Sequence, residues 1–290
     1  MKEKNRFSLP GKIHPAVIAV WAALVAAAHL LPIPMPILGG GTFSLVQALS
    51  PLSGILFGPV AGALCSAVGG FVGNLVMPHT QLPSMGIFTF IIGAITAFTS
   101  GCIAWGAWPI ITVNLKGNFI INGGIIVYLI GSILWFTQET GRGIPTYPLV
   151  YYGLGFAALV AGSIFARKTL AEKNHLQKVP AIWLCAFSGM IGGATIGNFF
   201  TLVLGRLTIV EWKGLIMLSP IERAAFSVVT AMIGAPLLAG LEKVRIYLGP
   251  QPEPPPNQQD PDISSEDFPP KADDIPPPEP ESISESIKEQ

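Results

Sequence analysis

Aspartate is absent from residues 1–248, and charge of either sign is sparse there, with 15 Lys/Arg against 6 Asp/Glu. The long apolar stretches hold no Asp, Glu or Lys at mid-span, which removes the usual basis for autonomous proton coupling. Cysteine is rare as well. Cys65, Cys102 and Cys185 sit far apart, each inside an apolar stretch, with neither a metal spacing nor a disulfide framework. They read as small buried hydrophobes. There is no phosphate-cradling glycine loop, no His-Glu-x-x-His zinc helix, no Gly-x-Ser-x-Gly elbow and no carboxylate pair within a span. Enzyme chemistry is therefore not expected, nor any catalytic residue, metal or cofactor, and an ATP-driven step would need a separate subunit.

What the chain does have is apolar length. Half of its residues are hydrophobic, 12% are charged, and the mean hydropathy is +0.56. From Pro51 to Met77 there are 27 residues without a charge, and Gly58, Gly62, Ser66, Gly70 and Asn74 recur at four-residue intervals. On a helix that spacing stacks small residues into a ridge that a second helix can approach closely. Glycine at this density costs a soluble helix about 1 kcal/mol per residue relative to alanine. A lipid-embedded helix tolerates it, because unwinding would strand backbone polar groups in hydrocarbon. Apolar stretches run over residues 16–31, 43–57, 58–77, 87–108, 119–137, 148–166, 181–205 and 222–241. The fold class is all-α: a polytopic helical membrane protein of about eight candidate spans.

Residues 249–290 differ sharply, with 2 Lys, 11 Asp/Glu, runs of proline and one aromatic, Phe268. Such a segment cannot bury enough apolar surface to offset the entropy of ordering, and it reads as a disordered acidic tail. The chain thus divides into a helical membrane domain, 1–248, and a tail, 249–290. The short stretch 43–57 is settled by charge. If all eight stretches cross and the N-terminus is cytoplasmic, 11 Lys/Arg of the membrane domain lie inside and 4 outside. If 43–57 does not cross, the split becomes 8 against 7. The positive-inside rule selects eight spans with both termini cytoplasmic, in a cell (inner) membrane.

Polar and aromatic residues collect toward the predicted outer side. His79 and Gln81 follow the third span, Trp135, Gln138, Glu139 and Arg142 end the fifth, and Tyr147, Tyr151 and Tyr152 open the sixth. For the tryptophans and tyrosines an interfacial belt is the default. Glu222 suits the N-terminus of the last apolar stretch, whereas Arg223 beside it invites a carboxylate partner. His29, near the outer interface beside Pro32, is expected to be exposed. Gly69-x-x-x-Gly73-Asn74 recurs as Gly193-x-x-x-Gly197-Asn198, which suggests either an internal repeat or chance likeness between glycine-rich helices.

From about residue 12 to 108 the chain resembles the substrate-capture (S) components of energy-coupling factor (ECF-type) vitamin transporters. The likeness rests on an alanine-rich first span (Ala16, Ala19, Ala22, Ala23, Ala26, Ala27), the loop Pro34-Met35-Pro36-Ile37-Leu38-Gly39-Gly40-Gly41, and the run from Pro51 through Gly58-Pro59 to Ala63. Pro220-Ile221-Glu222-Arg223-Ala224 and Gly234-Ala235-Pro236-Leu237 are similar to a final helix of that family. The chain departs from it in having eight candidate spans rather than six, and in its tail. The resemblance implies a membrane coupling subunit and ATPase subunits as partners, docked through Ala19, Ala22, Ala23 and Ala26. It also implies a lid loop over the ligand containing Gly39, Gly40 and Gly41. The expected ligand is a water-soluble vitamin or related heterocycle taken from outside, contacted by Asn74, Gln81, Trp135, Glu139, Asn198 and Arg223. The alternatives are a stand-alone facilitator or secondary transporter of a small solute, and a membrane scaffold that presents its tail.

Overall fold

In the computed structural model the described residues are 15–34, 42–76, 89–106, 112–114, 118–120, 122–171, 175–204, 207–243 and 248–250. They form nine α-helices: α1 (Pro15–Ala28), α2 (Val46–Phe57), α3 (Pro59–Val76), α4 (Thr89–Trp105), α5 (Gly123–Thr137), the short α6 (Glu139–Arg142), α7 (Gly153–Ala171), α8 (His175–Val203) and α9 (Ile209–Lys243). Each of the eight apolar stretches carries one helix, and α6 is added between the fifth and sixth. Four helical segments are long and apolar enough to cross a membrane by length and composition: Pro59–Val76, Pro148–Ala166, Leu176–Val203 and Ile209–Lys243. Two antiparallel ribbons join helices: β1 (Pro32–Pro34) pairs with β2 (Thr42–Ser44), and β3 (Thr112–Asn114) with β4 (Asn118–Ile120). The first ribbon brackets the expected lid, but Gly39, Gly40 and Gly41 lie outside the described residues.

The small-residue ridge explains the centre of the bundle. Gly58, at φ +85°, is a hinge at which the chain doubles back. After it α3 runs antiparallel to α2, so that Gly62 abuts Gly54 and Ser66 donates to Ser50 Oγ at 3.1 Å. The same ridge carries α4, with Gly70 against Phe90 and Asn74 against Thr89. A second row of glycines on α3 receives α1: Gly69 meets Ala22 and Val25, and Gly73 meets His29. His29 is therefore buried, contrary to the expected exposure, and its Nδ1 lies 3.1 Å from the Val25 carbonyl. It fills the volume that the missing Gly73 side chain leaves.

Helix α2 is only 12 residues, about 18 Å long. That falls short of the roughly 30 Å of a bilayer core. It is buried along nearly its whole length between α3, α4, α8 and α9. Lipid-facing length is thus not required of it. Its last carbonyls are covered from afar: Trp105 Nε1 donates to Ile55 O at 3.1 Å and the Gly249 amide to Leu56 O at 2.9 Å.

Helix α4 lies between α3 and α8, and its contact with α8 depends on absent side chains. Gly189, Gly192 and Gly193 receive Ser100, Thr99 and Thr96. The two Gly-Asn motifs consequently do different work. Gly69 and Gly73 seat α1, whereas Gly193 and Gly197 seat α4. All three cysteines are buried. Large exposed apolar side chains, such as Leu64, Leu75, Ile133, Ile164 and Met232, lie on the outside of the bundle, as a lipid-facing surface requires.

Candidate functional site

The site is built at the bundle end where α5 stops and α7 begins. Helix α5 ends at Thr137, Gln138 is extended, and α6 turns the chain back so that Trp135 Nε1 donates to Gly141 O at 2.8 Å. The chain re-enters the bundle through a π-helical turn, Pro148–Tyr152. In an α-helix, residues five apart point to different faces. The wider i→i+5 turn brings Tyr147, Tyr151 and Tyr152 inward together, and all three are buried. Tyr147 stacks on Trp135 with centroids 4.7 Å apart and planes at 10°. Tyr152 meets Trp135 edge-on at 6.1 Å.

Helix α9 supplies the opposite wall. Thr208 and Glu211 form a capping box, in which the Glu211 carboxylate accepts from the Thr208 amide at 2.7 Å and from its hydroxyl at 2.8 Å. One residue later Trp212 enters the aromatic cluster, 5.0 Å from both Trp135 and Tyr147. Two turns further on, Ser219 reaches the Tyr147 phenol, and one turn beyond it Arg223 donates to the Tyr151 phenol. Arg223 Nη1 also points at Gln47 Oε1, 3.4 Å away at the start of α2. From α8, Asn198 Nδ2 donates to Tyr147 Oη at 3.1 Å and lies 3.5 Å from Tyr152 Oη. Tyr147, just ahead of the helix, stays a neutral phenol, because burial pushes its ionisation well above the ordinary range.

Five aromatic rings, an amide, a guanidinium and a carboxylate thus converge from α5, the π-helical turn, α8 and α9. Glu222 and Trp212 carry the unusual polar atoms of the group. Glu222 is 7% exposed and Trp212 1%, yet Glu222 Oε1 and Trp212 Nε1 have no hydrogen-bond partner among the described residues. A buried polar atom left so costs about 1–3 kcal/mol.

Of the six contacts expected from the sequence, Trp135, Asn198 and Arg223 share this cluster. Glu139 is exposed on α6, within a turn of it. Asn74 is elsewhere, its amide donating to Thr89 Oγ1 at 2.5 Å as a bond between α3 and α4. Gln81 is outside the described residues. The tyrosines and Trp212 are not an interfacial belt: they form the cluster's interior. α-Helical periodicity pairs Tyr147 with Tyr151, but the joining of Tyr152 depends on the π-helical turn.

Residues 14–142 match the family described as ECF-type riboflavin transporter, S component. Over that segment the chain is similar to the S components of ECF-type transporters. No curated protein and no solved structure matches the chain. The matched segment runs from α1 to the end of α6 and so includes Trp135 and Glu139. The other members of the cluster lie beyond it in sequence. S components are multi-pass membrane proteins that bind small molecules and work with a membrane coupling subunit and ATPases. On α1, which lies within the matched segment, Ala19 and Ala23 are exposed together with Val20 and Leu24, forming an open face of small and apolar residues. Ala22 is buried, its carbonyl oxygen lying against Gly69, and Ala26 is half-buried. Of the four expected docking alanines, Ala19 and Ala23 therefore remain accessible together, whereas Ala22 and Ala26 do not.

Proposed function

We propose that this chain is the substrate-capture subunit of an ECF-type importer, taking up a flat vitamin heterocycle of the flavin class. The observation that carries this reading is the convergence of Trp135, Tyr147, Tyr151, Tyr152 and Trp212 with Asn198 and Arg223 at one end of the bundle, in a chain of this family. Aromatic rings stack on a conjugated ligand, each close pair contributing about 0.5–1.5 kcal/mol beyond burial. The amide and guanidinium then fix its orientation. The flavin class is chosen because the matched family is described as a riboflavin transporter component. The loop charge asymmetry supports an outward-facing site, with both termini cytoplasmic. Uptake then relies on the coupling subunit, docked on the Ala19–Ala23 face, and on ATPases.

The test is titration of the purified full-length protein with riboflavin, following flavin and tryptophan fluorescence. Saturable 1:1 quenching of both is expected, because stacking brings flavin and indole into contact. Co-expression with coupling and ATPase subunits should give a stable complex on size exclusion. A protein that binds no flavin, or that transports without ATPases, refutes the reading.

A further inference from the structure

We infer that Glu222 accepts a hydrogen bond from a ring N–H of the ligand, and that the site consequently selects neutral heterocycles bearing an imide or lactam edge over anionic ones. This rests on the capture reading above and specifies its ligand chemistry.

Charge comes first. Among the described residues Arg223 is the cation of the cluster, since Arg142 and Lys213 are exposed. Its guanidinium is already engaged by the Tyr151 phenol and by Gln47, and it sits in the field of the adjacent Glu222 carboxylate. The pair is formally neutral. A ligand carboxylate or phosphate brought to Arg223 would meet Glu222 within the same buried volume, where like charges repel strongly. Arg223 therefore does not make this an anion site, although its residue type alone invites that assignment.

Hydrogen-bond capacity comes second. A carboxylate accepts and does not donate. Glu222 Oε1 is buried with no partner among the described residues, and the charge of Glu222 acts on Tyr151 in the cluster. The complementary group is an N–H or O–H donor. Trp212 Nε1, also buried and unpartnered among the described residues, can only donate, so it calls for a carbonyl or ring nitrogen. Trp212 packs on Tyr147, and Glu222 is buried one helical turn from Ser219, which itself reaches Tyr147. A ligand that meets both needs acceptors and a donor on one flat, uncharged frame. The alternating carbonyl, N–H and carbonyl of a flavin's pyrimidinedione ring has that composition. A ring lacking the N–H would leave the carboxylate unsatisfied.

The ligand can be altered instead of the protein. Full-length protein is titrated with riboflavin and with 3-methylriboflavin, which replaces the imide N–H by a methyl group. Loss of one hydrogen bond to a charged acceptor predicts about 10- to 100-fold weaker binding of the methylated probe. In Glu222→Gln the preference for riboflavin over 3-methylriboflavin should shrink to within a few-fold, and the relative affinity for a ring-carboxylated flavin should rise. A merely structural role of Glu222 would weaken all three probes alike and leave their ratios unchanged. Equal binding of riboflavin and 3-methylriboflavin by the wild type overturns the inference while leaving the capture reading intact. Binding of neither flavin removes the capture reading itself. Because the wild-type comparison needs no variant, the inference stays testable even if Glu222→Gln fails to fold.

Discussion

Gly54 is where the packing of the bundle is most exposed to refutation. A Cβ placed there would lie 1.8 Å from the Ala97 carbonyl oxygen, 2.7 Å from its carbon and 2.8 Å from the Gly101 nitrogen. Ordinary contact begins at 3.4 Å, so α2 and α4 would have to separate by about 1.6 Å. The obstruction is backbone and cannot rotate aside as a side chain would. Overpacking typically costs about 1–3 kcal/mol, and this site belongs at the upper end. Alanine's better helix propensity returns about 1 kcal/mol, leaving a net loss of about 2 kcal/mol. For a domain of this size that lowers Tm by about 4–8 °C. Gly240→Ala is the matched control on α9, where an added Cβ meets nothing within 4 Å. It should leave Tm unchanged or raise it by about 2–4 °C through propensity alone. Thermal unfolding of both variants in one detergent, tracked by tryptophan fluorescence, decides the matter. If Gly54→Ala melts with the wild type, or Gly240→Ala is equally damaging, then α2 does not pack against α4 through a bare glycine.

Two further outcomes separate contacts within the bundle from contacts to a partner. Ala19→Leu with Ala23→Leu should leave Tm unaltered and abolish co-elution with the coupling subunit, whereas Ala22→Leu, facing Gly69, should destabilise the isolated chain by about 1–3 kcal/mol; the reverse pattern would place the docking face elsewhere. Gly73→Ala would set a Cβ 2.3 Å from His29 Nδ1, so it should lower Tm, and His29→Ala in the same chain should recover most of that loss. Strict additivity of the two substitutions would show that these residues do not touch.

The central packing was legible because it depends on spacing alone. Small residues at Gly62, Ser66, Gly70 and Asn74 form a ridge on any helix, and the structure lays α2 and α4 on it. The Gly58-Pro59 junction was legible as a break for the same elementary reason: a glycine free to adopt positive φ, then a residue that starts a helix well. Paired glycines misled where they looked alike, because identical Gly-x-x-x-Gly-Asn strings do not specify which helix will lie in the groove. Asn74 binds Thr89 within the scaffold, while Asn198 reaches the tyrosines. The aromatic cluster was hidden for a geometric reason. Tyr147 and Tyr151 share a face on any α-helix, but Tyr152 joins them only on a turn wound wider, and no residue in Pro148–Tyr152 announces that winding. Trp212 was legible as an outer-side aromatic but not as a member of the site, because it lies before the last apolar stretch, in sequence that α9 extends by more than three turns.

The bond from the Gly249 amide to Leu56 O has a consequence for the order of assembly. Helix α2 reaches its final capped state with donors from residues 105 and 249, so an early helix is completed by the last described segment of the chain. During synthesis the Leu56 carbonyl gains this partner only once residue 249 has been made. Truncation anywhere before residue 249 leaves that carbonyl bare, whereas additions beyond residue 252 do not touch it. The junction at 248–250 thus belongs to the packing of the domain, against α2 and α9, rather than being a passive link to the acidic segment.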